Sequence, residues 1–302
     1  MVDSSFLQQL IKIPENISKL RFDEIHNILT EARDIFIEEN LLLEFKIGQE
    51  EEVYIIGDLH GNLSSLIKLV EIINKESPKL VIFLGDIVDR GPNQIECLLF
   101  VLALKILNPD VYYILRGNHE TLEMNQAYGF IEEFTRKFEN ESQKFNEILE
   151  VYDVIPICAI INKILCLHGG IPEDIHILKK LRGLKPRDID NSLSKSLGYG
   201  IFQMMWNDPK EEITGFIDSF RGTGIKSFGK DVFEEFMKEN DLTYLIRAHE
   251  CFPEGYRWFF NNRLLSIFSS ENYRGEYYPN PASYAIIKNN SIFAKILEII
   301  SY

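Results

Sequence analysis

The feature that most constrains this chain is a rhythm of short β-branched, apolar runs, each of which stops at a polar, glycine-rich cluster. Residues 53–56, 80–84 and 111–115 have strand length and composition. The stretches between them, 63–74 and 94–107, carry apolar residues at helical spacing. The order is therefore β-α-β-α-β, an α/β arrangement. Further strand runs at 164–167, 242–246 and 264–268 follow more closely, with fewer helices between them. They predict a central mixed β-sandwich flanked by helices. Ahead of the first strand run, residues 21–39 place Ile25, Ile28, Leu29, Ala32, Ile35 and Phe36 on one face of an amphipathic helix. His26 on that helix reads as a surface or capping residue.

No internal repeat, low-complexity tract or Pro/Gly/Ser-rich linker interrupts the chain, so one domain over 1–302 is expected. It would comprise an N-terminal helical segment at about 1–48 and a core at about 49–290. With 32 Lys+Arg against 46 Asp+Glu, the formal charge of −14 opposes binding to a polyanion, so nucleic acid is not an expected partner. The first residues lack a basic n-region and a long apolar h-region, and no stretch of 18 or more apolar residues occurs. A soluble, cytoplasmic protein without a membrane partner is expected. The 4 cysteines, Cys97, Cys158, Cys166 and Cys251, stand singly beside apolar residues and read as buried free thiols.

The clusters at the strand ends carry the chemistry. GDLHGN contributes Asp58 and His60, two residues apart in extended chain and so able to point the same way. GDIVDRG contributes Asp86, Asp89 and Arg90, and RGNHE contributes Asn118 and His119. Later, LHGG brings His168 and LIRAHE brings His249. Taken singly, an Asp after a strand is a turn or helix cap, and a lone His is a satisfied core or surface residue. Four of the 6 histidines at strand ends, beside Asp and Asn, make a different case.

Imidazole, carboxylate and amide oxygen without thiolate form a ligand set suited to Mn, Fe, Zn or Co. If Asp86 bridges two ions, Asp58 and His60 complete one site, and Asn118, His168 and His249 the other. Two divalent cations ~3.5–4 Å apart would clamp a phosphate and bring a bound water toward a pKa of ~7, giving direct attack by a metal-bound hydroxide. His119 is then free to act as general acid, oriented by Asp89. Arg90 can hold phosphate oxygens with its planar fork.

With these motifs assembled, the sequence resembles the phosphoprotein phosphatase family, the group of protein phosphatase 1, protein phosphatase 2A and calcineurin. GDLHGN, GDIVDRG, LRGNHE, LHGG and RAHE stand in the family's order and near its spacings. The likeness runs from about residue 22 to about 288, and includes EARDIFIEENLLLEF, QAYGFIEEF and WNDP. It implies a calcineurin-like metallophosphoesterase fold, hydrolysis of phosphoserine and phosphothreonine in proteins, and two divalent metal ions. Mn²⁺ is expected in vitro, with Fe or Zn as alternatives. SFRGTGIKSFG resembles the segment that carries a second phosphate-binding arginine, which falls on Arg221. NYRGEY resembles the loop whose tyrosine borders the active site, which falls on Tyr273. Where eukaryotic members commonly have Ala-Pro-Asn-Tyr-Cys, this chain has Ser270-Glu271-Asn272-Tyr273-Arg274, placing a carboxylate and a guanidinium near the mouth.

A minimal, stand-alone catalytic unit is implied, as in archaeal or some protist members, with phosphoprotein substrates and unknown regulatory subunits. Two alternatives stand beside this reading. One is a small-molecule metallophosphoesterase such as a diadenosine-tetraphosphate hydrolase, which shares the first three motifs. The other is a non-catalytic binding scaffold.

Overall fold

The computed structural model describes residues 2–188, 195–275 and 277–298, so Glu276 in the NYRGEY segment and the last residues of the expected domain lie outside the described residues. The chain opens with helices α1 (Ser4–Lys12) and α2 (Phe22–Phe36), followed by strands β1 (Leu42–Phe45) and β2 (Glu52–Ile56). Next come α3 (Leu63–Glu76), β3 (Leu80–Phe83), α4 (Gln94–Leu107), β4 (Tyr112–Ile114), α5 (Leu122–Tyr128), α6 (Phe130–Lys137) and α7 (Asn146–Tyr152). The second half holds β5 (Cys158–Ile161), β6 (Ile164–Leu167), α8 (Ile177–Leu181), α9 (Lys195–Trp206), β7 (Asp208–Pro209), β8 (Phe216–Asp218) and β9 (Lys226–Phe228). It ends with α10 (Lys230–Glu239), β10 (Tyr244–Arg247), β11 (Tyr256–Phe259), β12 (Leu264–Ile267), β13 (Ser283–Lys288) and β14 (Ser291–Ile296).

Two sheets form the sandwich. One has the order β14-β13-β2-β3-β4 and the other β1-β5-β6-β10-β12-β11, with a small third sheet, β7-β9-β8, beside them. Strand alternation explains why the runs read as continuously apolar: each sheet is covered on both faces. From β2, Val53 and Ile55 enter the core between the sheets while Tyr54 and Ile56 pack under the helices. From β10, Ile246 faces the other sheet and Leu245 the second helical layer. The layers are therefore helix, sheet, sheet, helix.

Two parallel triplets place the site. β2, β3 and β4 run parallel in one sheet, and β6, β10 and β12 run parallel in the other. Their carboxyl ends meet along one edge of the sandwich, where loops from both sheets interleave. Thus His168 Nδ1, after β6, lies 3.0 Å from the carbonyl of Leu84, after β3, and Asp58 Oδ1, after β2, accepts from the backbone of His249, after β10, at 2.9 Å.

Several expectations are corrected. The stretch at about 1–48, read as helical, contains β1, which pairs in parallel with β5. Its run of leucines fits helix or strand alike, so sequence pattern alone could not separate them. The helix expected over 21–39 stops at Phe36, and Ile35 is half-buried rather than on the core face. Cys97, Cys158 and Cys166 are buried free thiols, but Cys251 is half-buried in the loop after His249. His26 is exposed, with its Nδ1 2.6 Å from Glu147. No described helix is long and apolar enough to cross a membrane.

Candidate metal centre

Asp86 lies at the centre of the strand ends. Its carboxylate falls within two groups of mutually close donors, one with His60 and His119, the other with His168 and His249. Asp86 Oδ2 is 3.3 Å from His168 Nε2 and 3.6 Å from His60 Nε2. His168 Nε2 is also 2.9 Å from Asn118 Oδ1 and 3.2 Å from His249 Nδ1, while His60 Nε2 is 3.5 Å from Asp58 Oδ2. Donor atoms ~2.1 Å from a common ion lie roughly 3.0–3.4 Å apart, so these separations are close to those of a coordination shell. None of Asp58, His60, Asp86, Asn118, His119, His168 and His249 is more than 9% exposed.

The local sequence orients each imidazole. The Nδ1 atoms of His60 and His168 donate to the carbonyls of Val88 and Leu84 at 2.9 and 3.0 Å, which leaves both Nε2 lone pairs facing Asp86. Burial, with the nearby Arg221 and His168, holds His249 well below the usual imidazole range, so it stays a neutral donor. Burial works against charge on Asp86, yet the His168, His119 and His60 rings outweigh it and hold its carboxyl well below the usual range. For His168, too, burial disfavours the charge, but Asp86 and its neighbours prevail and raise it to about 9, so a cation bound there would have to displace the Nε2 proton to reach the lone pair. Asp58 Oδ2 and His249 Nε2 are buried with no hydrogen-bond partner among the described residues. Unpaired carboxylate oxygen in such a place marks a site for a cation. The donor set fits divalent metal ions.

Backbone strain gathers at the same place. His60, Asp86, Asp89, Arg90 and His249 all take positive φ, between 45° and 74°, a conformation non-glycine residues seldom hold without a functional reason. Gly117 allows the loop to close, because a Cβ there would lie 2.3 Å from Asp86 Oδ1. Gly85, at φ +99°, would meet the backbone nitrogen of Gly117 at 2.2 Å.

Around these donors stand the other expected residues. His119 Nδ1 lies 2.7 Å from Asp89 Oδ2, which turns Nε2 toward Asp86 Oδ2, 4.0 Å away. The Arg90 guanidinium lies 4.0 Å from the ring centre of Tyr128 and 5.5 Å from that of Tyr273, between two aromatic faces. Tyr273 in turn stacks on His60, with ring centres 4.9 Å apart. Arg221 Nε donates to Asp208 Oδ2 at 2.6 Å. Glu271 is half-buried and Arg274 exposed beside Tyr273.

Sequence reasoning singled out neither Tyr128 nor the hub behind Arg221. Arg247 is fully buried, and its guanidinium reaches Gly169 O, Asn207 O, Asp208 Oδ1 and Glu250 Oε2, tying the LHGG, WNDP and RAHE segments together. Glu120 also went unassigned. Its carboxylate accepts from the backbone of Asp86, Ile87 and Gly117, locking two of the motif loops to each other. The signal was present in each case, since all lie inside or beside the motifs. Their type alone did not separate a structural role from a chemical one.

A carboxylate shared by two groups of donors, an oriented imidazole and two nearby guanidiniums fit the equipment of a metal-dependent phosphoester hydrolase. The family described as Calcineurin-like phosphoesterase matches residues 52–253, and the chain belongs to that family. Its α/β sandwich is the calcineurin-like metallophosphoesterase fold that the sequence predicts. A protein serine/threonine phosphatase from Saccharomyces cerevisiae, described as similar to human phosphatase PP5, superposes with a TM-score of 0.79 at 25% identity, over 94% of this chain and 91% of its own. The cold-active protein-tyrosine phosphatase of a psychrophilic Shewanella species shares the fold, with a TM-score of 0.60 at 17% identity over 88% of this chain and 84% of its own.

Proposed function

We propose that this protein is a serine/threonine protein phosphatase. The observation that carries the reading is the likeness to the yeast serine/threonine phosphatase, which spans nearly the whole of both chains. Asp58, His60 and Asp86 would hold one cation, and Asp86, Asn118, His168 and His249 a second, with Mn²⁺ the expected ion in vitro. When bound, such a pair supplies the positive charge that draws in a phosphate and the acidified water that hydrolysis needs.

The protein's own residues do the rest. Arg90, braced by Tyr128 and Tyr273, binds phosphate oxygens from one side, and Arg221 from the other, its charge already felt at His249. His119 Nε2 hands a proton to the departing serine or threonine oxygen, and Asp89 keeps the ring aimed at it. The donors are themselves buried, which limits their contact with bulk water. The same reading takes the chain as one catalytic domain, acting on phosphoproteins in the cytoplasm.

The test is phosphate release from phosphoserine, phosphothreonine and phosphotyrosine peptides and from diadenosine tetraphosphate, using chelator-stripped protein before and after Mn²⁺ addition. Metal-restored activity highest on phosphoserine or phosphothreonine is the expected result. Preference for the dinucleotide would move the assignment to a small-molecule esterase, and no activity on any substrate would leave a binding scaffold.

A further inference from the structure

Behind the cleft, His119 is held at three points. Its backbone nitrogen donates to Asp86 Oδ1 at 2.9 Å, its ring Nδ1 meets Asp89 Oδ2 at 2.7 Å, and its carbonyl accepts from Asn125 Nδ2 at 2.8 Å. That same Asn125 nitrogen donates to Asp89 Oδ2 at 2.9 Å. One amide group, wholly buried on α5, thus links the imidazole's carboxylate partner to the imidazole's own peptide. Both acceptors lie on one side of the amide, so its orientation is fixed: a carbonyl oxygen there would face a carboxylate and a carbonyl.

The other side of the amide gains nothing. Asn125 Oδ1 is buried without a hydrogen-bond partner among the described residues. The asparagine is therefore there for its nitrogen, which holds the buried Asp89 carboxylate and the His119 carbonyl in one fixed arrangement and outweighs the unpaired oxygen. Asp89 has one further contact, from the Phe130 backbone nitrogen to Oδ1 at 3.3 Å, and that bond leaves rotation of Oδ2 weakly restrained. Asn125 supplies the missing restraint.

We propose that Asn125 is the positioning residue for proton delivery, fixing the Asp89–His119 couple so that Nε2 stays aimed at the leaving oxygen. The proposal rests on the reading of His119 as proton donor. Asn125 acts through Asp89 and His119 and contacts no part of the substrate. Its removal should therefore matter most where the leaving group most needs a proton. A serine alkoxide needs one; p-nitrophenolate departs as a stabilised anion.

The experiment compares Asn125→Ala and Asn125→Ser with wild type and His119→Asn, on a phosphoserine peptide and on p-nitrophenyl phosphate, with metal content measured for each. Asn125→Ala should lower kcat on the phosphopeptide by about 10–100-fold, the range of such outer partners. Its loss on p-nitrophenyl phosphate should be smaller by roughly tenfold, with peptide KM and metal content near wild type. Asn125→Ser, which keeps one donor, should fall between, and it carries the comparison alone if the alanine variant does not fold. Equal losses on both esters, or no loss on the phosphopeptide, would overturn the proposal. If His119→Asn itself fails to discriminate the two esters, the proton-donor reading falls; if it discriminates and the Asn125 variants do not, only the role of Asn125 falls.

Discussion

The floor of the cleft and its rim are built on opposite principles. On the floor every donor is buried, both the His60 and His168 tautomers are set by backbone carbonyls, and Glu120 pins two loops with backbone bonds. At the rim the loops that carry Arg221 and Tyr273 leave Phe220 91% exposed and Tyr277 95% exposed. Rigid, over-determined geometry suits chemistry that tolerates little displacement, while exposed aromatic rings suit contact with a variable partner. The contrast separates what the protein does to a phosphoester from which phosphoesters it meets. It also gives a scale for mutations: large effects on turnover from the floor, small and substrate-dependent ones from the rim.

The largest effect should come from the residue shared by both donor groups. Asp86→Ala is expected to reduce bound metal and to lower phosphopeptide turnover to that of chelator-stripped protein, read by elemental analysis and a phosphate-release assay. Near-normal metal content would break the picture of Asp86 as the common donor. Next, His119→Asn should lower kcat by ~10²–10⁴ with metal content near wild type, and wild-type turnover would exclude it as the acid. Between floor and rim sits Arg90, which acts on binding. A charged hydrogen bond of ~1.5–3 kcal/mol implies a rise in phosphopeptide KM of roughly 10–150-fold for Arg90→Ala. Arg90→Lys should recover part of it, because an ammonium keeps the charge but not the fork or the stacking on Tyr128. An equal loss in both variants would point to the fork and the stacking rather than the charge.

The same divide sets what was legible in the sequence. The floor could be read because its donors follow runs such as 53–56 and 164–167, buried on both faces and unmistakably apolar, so that the polar residues ending them stand out. The third sheet could not, since Phe216–Asp218 is short and largely exposed and carries no alternation. Arg247 was illegible for another reason. An arginine next to a histidine motif reads as surface charge, and only the fold shows that it is fully buried among Gly169, Asn207, Asp208 and Glu250. Asn125 lies outside the motifs, on the helix that follows RGNHE, and its partners Asp89 and His119 meet it only after α5 has packed.

The rim offers the smallest effect and the sharpest test of the contrast. Phe220 adjoins Arg221 on the hairpin between β8 and β9, where Ser219 donates to Ile225 O at 2.9 Å and closes the turn. With 91% of its surface in water, the ring gives up almost no buried area when removed, so Phe220→Ala should leave the melting temperature where it is. Any kinetic change then reports contact with substrate. Covering ~40 Å² of the ring with an apolar side chain beside the phosphoserine would be worth about 1 kcal/mol, roughly a fivefold rise in KM on its loss. That rise should appear for peptides with leucine or phenylalanine next to the phosphoserine, and not for p-nitrophenyl phosphate, which has no flanking residues. A rise on both substrates would mean that Phe220 acts through Arg221 and belongs with the floor. No rise on either would remove the ring from the substrate path and leave selection to Arg274 and the tyrosines of the loop that carries Tyr273.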